Sequence, residues 1–248
     1  MIKKIIHKFF GKKILTSFLL KMENSFIQPM KYYLYCNTYL EKHISLEIKL
    51  HRKYFQEENR AFGEDAFTIM WYFLYEKFEF KNFLEIGVYR GQTITLLALL
   101  AKMKDRKINV YGLSPLKDAN DSVTFYAKLN YKEDIEKHTK YFDLNSITLI
   151  EAYSNDLTSI NFVNSKSWDC IYIDGSHDYE IVKNDFELSF QNLKKGGVIV
   201  MDDSSLFINN FYGQFKGHPG PSKIADEFVS KKMKEFLRVG HNRCFIKL

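Results

Sequence analysis

The stretch Phe83-Leu84-Glu85-Ile86-Gly87-Val88-Tyr89-Arg90-Gly91-Gln92-Thr93 constrains the fold more than any other part of the chain. It begins as a short apolar strand, passes an acidic residue and two glycines, and runs into a helix. A strand, a glycine turn and a helix N-terminus are how α/β folds build a nucleotide-sized pocket. The glycines let the backbone turn tightly and come close to a ligand. The spacing is E-x-G-x-x-x-G, not G-x-G-x-x-G. A pyrophosphate cradle presents bare backbone N–H groups and no anion. A carboxylate at the strand end suits a ligand that carries positive charge. The plainer alternative is an ordinary βα turn.

The chain on either side alternates strand and helix. Strands are predicted at Asn82–Gly87, Ile108–Leu113, Ile147–Glu151, Trp168–Ile173 and Gly197–Met201, with a closing hairpin of Phe236–Gly240 and Cys244–Leu248. Helices are predicted at Glu64–Lys77, Gly91–Lys104, Ser122–Lys140, after Asn155, at Tyr179–Leu193 and near Ser222–Lys234. This order implies an α/β fold: a Rossmann-like, doubly wound, seven-stranded sheet, mostly parallel, with one antiparallel strand near the C-terminus. A length of 248 residues allows one such domain with an appendage, not two full domains. The division expected is a helical cap or oligomerisation segment at 1–60 and the α/β domain at 61–248. In the cap, Tyr32, Tyr35, Tyr39, Ile44, Leu46 and Leu50 recur loosely at helical spacing.

The formal charge is +6, and lysines crowd the first turns: Lys3, Lys4, Lys8, Lys12, Lys13 and Lys21. Such charge favours anionic surfaces or substrates and says nothing about fold. The apolar run Ile14–Leu20 is too short to span a bilayer, and no small-residue cleavage site follows it. Ile2, Ile5, Ile6 and Phe9 share one helical face. That face suits packing on its own domain or on a second subunit, with peripheral membrane contact as the alternative. Cys36, Cys170 and Cys244 are widely spaced and form no C-x-x-C, so a reduced, cytoplasmic chain without a zinc site is expected.

In a sheet of this kind, ligands bind beyond the carboxyl ends of the strands. Polar residues gather there: Glu85 and Gly87; Ser154-Asn155-Asp156; Asp174-Gly175-Ser176-His177; Asp202-Asp203. Asp174, Asp202 and Asp203 would repel one another unless a cation sat among them, and an all-oxygen set suits Mg²⁺. Otherwise these residues cap helices or face solvent. His177 could accept a proton from a hydroxyl near that metal, or could be a capping or surface histidine. The long aromatic loop Ser204–Pro221 would hang over the rim, as a lid, a substrate clamp or a dimer contact, with Lys216, His218 and Lys223 able to meet an anionic substrate.

Three runs in order carry a family likeness. Phe83–Thr93, Ile173-Asp174-Gly175-Ser176-His177-Asp178-Tyr179, and Leu193-Lys194-Lys195-Gly196-Gly197-Val198-Ile199-Val200-Met201-Asp202-Asp203 together resemble class I S-adenosylmethionine-dependent methyltransferases. The branch they look most like is that of small-molecule and sugar O-methyltransferases of the macrocin type. The E-I-G-V-Y-R-G-Q-T string is also similar to metal-dependent catechol O-methyltransferases. The likeness covers about residues 64–248. It implies a methyl transfer from S-adenosylmethionine (SAM) to a hydroxyl of a small molecule or saccharide. It also implies roles: Glu85, Gly87 and Gly91 at the methionine end of the cofactor, Thr93 near its carboxylate, and Tyr89 beside the transfer site. Ser154 and Asn155 would contact adenine. Asp174 would serve the cofactor and the metal, Asp202 and Asp203 would complete the metal ligands, and His177 would be the base.

One position departs from the family pattern. Its second strand normally ends in Asp or Glu, which holds the ribose hydroxyls; here the run is Tyr111-Gly112-Leu113-Ser114-Pro115. Ser114 offers one hydrogen bond, and Asp118 or Asp121 would have to reach back. A binding-only protein of the same fold is therefore a second reading. A nucleic-acid methyltransferase is a third, suggested by the basic N-terminus but lacking a base-amine motif, so no nucleic-acid partner is expected. A NAD(P) enzyme fits worse, because Glu85 would face the pyrophosphate. The partners expected are the acceptor and a second copy of the chain bound through the N-terminal helices.

Overall fold

A computed structural model describes residues 2–117, 129–145, 147–209 and 215–248; side chains are described from residue 11 onward, residue 59 excepted. Four helices come first: α1 (Ile2–Leu20), α2 (Asn24–Ile27), α3 (Pro29–Lys42) and α4 (Leu46–Gln56). They are followed by α5 (Asp65–Phe78), β1 (Asn82–Ile86), α6 (Gln92–Met103), β2 (Asn109–Ser114), α7 (Tyr131–Tyr141), β3 (Thr148–Glu151), α8 (Leu157–Asn164) and β4 (Trp168–Ile173). The chain closes with α9 (Tyr179–Asn192), β5 (Leu193–Met201), α10 (Pro219–Ile224), a π-turn (Ala225–Val229), α11 (Ser230–Lys232), β6 (Lys234–Val239) and β7 (Asn242–Ile246).

The seven strands form one sheet in the order β3-β2-β1-β4-β5-β7-β6. β1 pairs in parallel with both β2 and β4, while β7 is antiparallel to β5 and to β6. β7 is thus the single reversed strand, as expected from the closing hairpin. The central strands β1, β4 and the second half of β5 read as mostly apolar runs because both faces are covered. One face packs Phe83, Cys170, Val198, Val200 and Cys244 against α1, α3, α5 and α6. The other packs Leu84, Ile171, Ile199 and Phe245 against α8, α9 and α10. The three cysteines are free and buried.

Several details differ from the sequence expectation, among them the last helical segment, which spans Pro219–Lys232 instead of Ser222–Lys234. The predicted helix at Ser122–Lys140 is described only as α7, where Asn130 caps the first turn by accepting from the Glu133 N–H; residues 118–128 lie outside the description. β5 starts at Leu193, not Gly197, because Leu193 already pairs with Trp168. The closing hairpin turns on Gly240 and His241 alone, Gly240 having φ +55°. A left-handed glycine allows that tight reversal. Asn242 and Arg243 therefore belong to β7 and are buried instead of forming the turn. In α4 the expected apolar positions Leu46 and Leu50 are exposed. The buried stripe is Ile48, His51, Arg52 and Phe55, spaced as one helical face.

The N-terminal helices share their core with the sheet. Leu15, Leu19, Tyr32, Cys36, Tyr39 and Ile48 pack in one cluster with Phe67, Leu74, Val200 and Cys244. The Ser25 hydroxyl accepts the backbone N–H of Arg238 on β6 at 3.1 Å, so this segment also covers an edge strand. None of the described helices is long and apolar enough to cross a membrane.

The turn after β1 rests on glycine. Gly87 has φ +100°, and a Cβ there would stand 2.1 Å from the Asp174 carbonyl oxygen. Gly87→Ala should therefore cost more than about 3 kcal/mol through strain and clash. Gly196 also has positive φ but has open space around it; Gly196→Asn should cost no more than about 1 kcal/mol. Urea unfolding of both variants tests the contrast, and similar losses would contradict it.

Candidate active site

The strand ends bring the sequence-selected residues together. Glu85, Gly87, Tyr89, Gly91, Thr93, Ser114, Ser154, Asn155, Asp174, His177, Asp202 and Asp203 all line one cavity of about 880 Å³. The floor is the meeting of β1 and β4. The Gly87 N–H donates to Leu113 O and the Asp174 N–H to Ile86 O, each at 2.8 Å. Gly91, with φ +86°, then opens α6, whose first residues Gln92 and Thr93 line the cavity and whose Ile94 N–H bonds the Glu85 carboxyl.

Glu85 stands beneath this turn, 4% exposed, and its Oε2 has no hydrogen-bond partner. Burial pushes its carboxyl up to about 8; the Asp202 charge adds to this, and the backbone N–H of Ile94 opposes it. Asp174 and Asp202 share a hydrogen bond and behave as one pair. Burial and mutual repulsion hold Asp174 well above the ordinary carboxylate range. Burial raises Asp202 too, against the pull of His241 and a hydrogen bond from the Tyr172 hydroxyl. Carboxylates this close cannot all ionise without a cation.

Three imidazoles surround the far side of the rim. Asp203 takes φ +51°, and its Oδ2 lies 3.0 Å from His177 Nε2 and 3.7 Å from His218 Nε2. The His177 and His218 rings stack with centroids 3.8 Å apart. His241 Nε2 lies 3.4 Å from Asp202 Oδ1 and 3.7 Å from Asp203 Oδ1. Asp202, Asp203 and His241 thus present three ligand atoms within 4.8 Å of one another, as do His177, Asp203 and His218. The Asp202, Asp203 and His241 set fits a divalent cation, because Asp202 Oδ1 is buried and lacks a hydrogen-bond partner. The mixed nitrogen and oxygen donors suit Mg²⁺ less strictly than an all-oxygen set would.

The loop after β5 folds back to this rim. The His218 N–H donates to Asp203 O at 2.9 Å, and Phe215 packs edge-on to His218 and His241. Residues 210–214 of the loop lie outside the description. At the opposite mouth, Phe62 stacks on Tyr89 at 5.0 Å and Tyr131 meets Tyr89 edge-on at 4.9 Å.

Two sequence-selected hydroxyls are already engaged. Ser114 Oγ accepts the Leu116 N–H at 3.2 Å. The Ser154 hydroxyl donates to Asp185, whose carboxyl burial raises to about 6. Asp118 and Asp121 lie outside the described residues. The sequence reading did not pick His241, Tyr172, Phe62 or Tyr131. A signal for His241 existed: once β6 is parallel to β5, the turn following it must fall at the carboxyl rim.

The comparisons with known proteins match this architecture. Residues 84–204 match the family model described as a methyltransferase domain. The chain is similar to an uncharacterised protein of Acanthamoeba polyphaga mimivirus, 31% identical over 127 residues. That match spans 49% of this chain and 51% of the relative, about half the length of each. Among solved structures it is similar to a Staphylococcus aureus protein assigned as a caffeoyl-CoA O-methyltransferase. There the TM-score is 0.62 at 16% identity, covering 86% of this chain and 99% of the other. A Podospora anserina methyltransferase bound to SAH gives 0.58 at 16% identity, over 85% and 93%. A Bacillus cereus O-methyltransferase in complex with SAH gives 0.56 at 15%, over 85% and 96%. The chain shares the Rossmann-like fold of these solved structures, and residues 84–204 are the part that matches the methyltransferase-domain model.

Glu85 predicts a pH dependence. Its value in the fold, about 8, exceeds the ordinary 4.5, so the folded chain keeps a proton that the unfolded chain has lost. That contribution to stability is complete below the unfolded value and is lost as pH rises through the folded one. The melting temperature of the ligand-free protein should fall between about pH 5 and about pH 8, and fall less in Glu85→Gln. Equal slopes in the two proteins would show that Glu85 is already ionised.

Proposed function

We propose that this chain is an S-adenosylmethionine-dependent O-methyltransferase that acts on a hydroxyl of a small molecule or saccharide, assisted by a divalent cation such as Mg²⁺. One observation carries the reading. A buried carboxylate, Glu85, with one oxygen free of hydrogen bonds and the Ile94 N–H on the group, lies under a glycine cradle and lines one cavity with a rim of carboxylates and imidazoles. The anionic floor suits the ammonium and sulfonium of SAM, and the family match at residues 84–204 supports the same class. When bound, SAM supplies an electrophilic methyl group, and the cation makes a nearby hydroxyl more acidic.

The residues then divide the work. Glu85 and Asp174 hold the cationic methionine end over the Gly87 and Gly91 backbone, with Thr93 at its carboxylate. Ser114 faces the ribose, Ser154 and Asn155 the adenine. Tyr89, between Phe62 and Tyr131, walls the transfer point. Asp174, Asp202 and Asp203 hold the cation, and His241 joins them as a nitrogen donor. His177 accepts the hydroxyl proton while Asp203, at 3.0 Å, fixes its ring. Residues 1–60 cap the domain 61–248.

Calorimetry with SAM, with and without Mg²⁺ or Mn²⁺, tests the reading. Micromolar-range binding that strengthens with metal is expected for the native protein, and loss of the metal effect for Asp202→Ala. No SAM binding would overturn the proposal. His177→Ala should lower turnover by about 10²–10⁴-fold, with SAM affinity changed only a few-fold. An unchanged rate would remove His177 from proton transfer. Binding of SAM with no methylation of any hydroxylated acceptor would favour the binding-only reading that Ser114 keeps open.

A further inference from the structure

The charge of this protein is segregated. Residues 1–31 hold seven lysines (Lys3, Lys4, Lys8, Lys12, Lys13, Lys21 and Lys31) against one acidic residue, Glu23. The chain as a whole has 36 basic and 30 acidic residues, so the remaining 217 positions hold 29 of each. The entire formal charge of +6 therefore sits on α1, α2 and the start of α3.

The same segment carries an unusual share of exposed apolar side chains. α1 turns Leu15 and Leu19 into the core. Its outward stripe is Lys13, Ile14, Ser17 and Leu20, continued by Lys21, at the spacing of one helical face. Ile14 is 66% exposed and Leu20 53%. The neighbouring helices add Ile27 at 70%, Met30 at 54% and Leu34 at 45%, with exposed Lys31 beside them. Inward packing thus fixes these helices on the domain and leaves a face where lysine and aliphatic side chains alternate.

We infer that this N-terminal face docks the protein on an anionic lipid surface. Lysines just outside a bilayer are drawn to acidic headgroups, and adjacent aliphatic side chains enter the interfacial layer. No described helix spans a membrane, so the attachment is peripheral and reversible. A second copy of the chain fits this face poorly, because a two-fold contact would set +6 against +6. A nucleic acid would meet the lysines but would leave the aliphatic residues without a role, and Arg, the phosphate-fork residue, does not occur before Arg52. α3, which carries part of this face, also reaches the cavity wall: its Tyr33 hydroxyl donates to Glu64, a lining residue. This inference does not depend on the methyltransferase reading.

Co-sedimentation of the full chain with phosphatidylcholine vesicles, with and without phosphatidylglycerol, tests it. The protein should pellet with the anionic vesicles at least about tenfold more tightly than with the neutral ones, and release at high salt. Lys12→Glu with Lys13→Glu and Lys21→Glu should abolish the difference. Ile27→Asp with Met30→Asp should weaken anionic binding about tenfold. Those two residues are exposed, so circular dichroism and the melting temperature should stay unchanged. Absence of pelleting with anionic vesicles would overturn the inference. So would duplex or RNA binding as tight as vesicle binding and indifferent to Ile27→Asp/Met30→Asp. A dimer by light scattering that the same pair dissociates would reassign the face to self-association.

Discussion

The ends of β1 and β4 touch backbone to backbone, and most of the site follows from that contact. Gly87 lies so close to Asp174 and Gly175 that no side chain fits between them. The approach sets Glu85, Asp174 and Asp202, which sit at the carboxyl ends of three adjacent strands, around one cavity. A larger residue at position 87 would part the strands and spread the carboxylates. The same glycine turn feeds α6, whose N-terminus lines the cavity, so the field there is shaped from two sides: carboxylates below, a positive helix end beside them.

That crowding leaves the carboxylates electrostatically unsatisfied. Glu85, Asp174 and Asp202 all favour protons more than ordinary carboxyls, and burial is the first cause in each. A cation entering the cavity exchanges places with those protons, so binding is coupled to their release. Asp203 differs from its neighbours. It turns through a left-handed backbone to meet His177 and His218, while Asp202 remains with Asp174 and Tyr172. The consecutive pair thus spans the site: Asp203 reaches His177 and His218, Asp202 reaches the acidic floor, and His241 meets both.

Much of the fold was legible because its signals are local. Apolar strands flanked by glycines and followed by amphipathic helices fix the parallel sheet, and the closing hairpin fixed the one reversed strand. The rim was legible for the same reason: each acidic residue follows a strand that could be counted. What escaped depends on contacts between distant segments. His241 lies in a turn that reaches the rim only because β7 is inserted between β5 and β6. The α4 face was misread at Leu46 and Leu50 because the true stripe includes His51 and Arg52, polar residues buried through partners elsewhere: Thr95 for His51 and Asp65 for Arg52. Composition cannot announce such pairs.

Ser114 shows how the two levels of reading inform each other. From sequence it was a missing carboxylate at the end of the second strand. In the structure its oxygen is already taken by the Leu116 N–H, which fixes the following turn as Leu116 adopts φ +53°. The side chain therefore serves the backbone first, and any hold on a ribose must come from its remaining donor or from neighbours at the cavity wall. Lys117 and Asp156 both line that wall. Asp156 spends Oδ2 on the Tyr153 N–H and keeps a second oxygen. A carboxylate displaced from β2 to the turn after β3 would reach the same region of the cavity from the next strand over, since β2 and β3 are neighbours in the sheet.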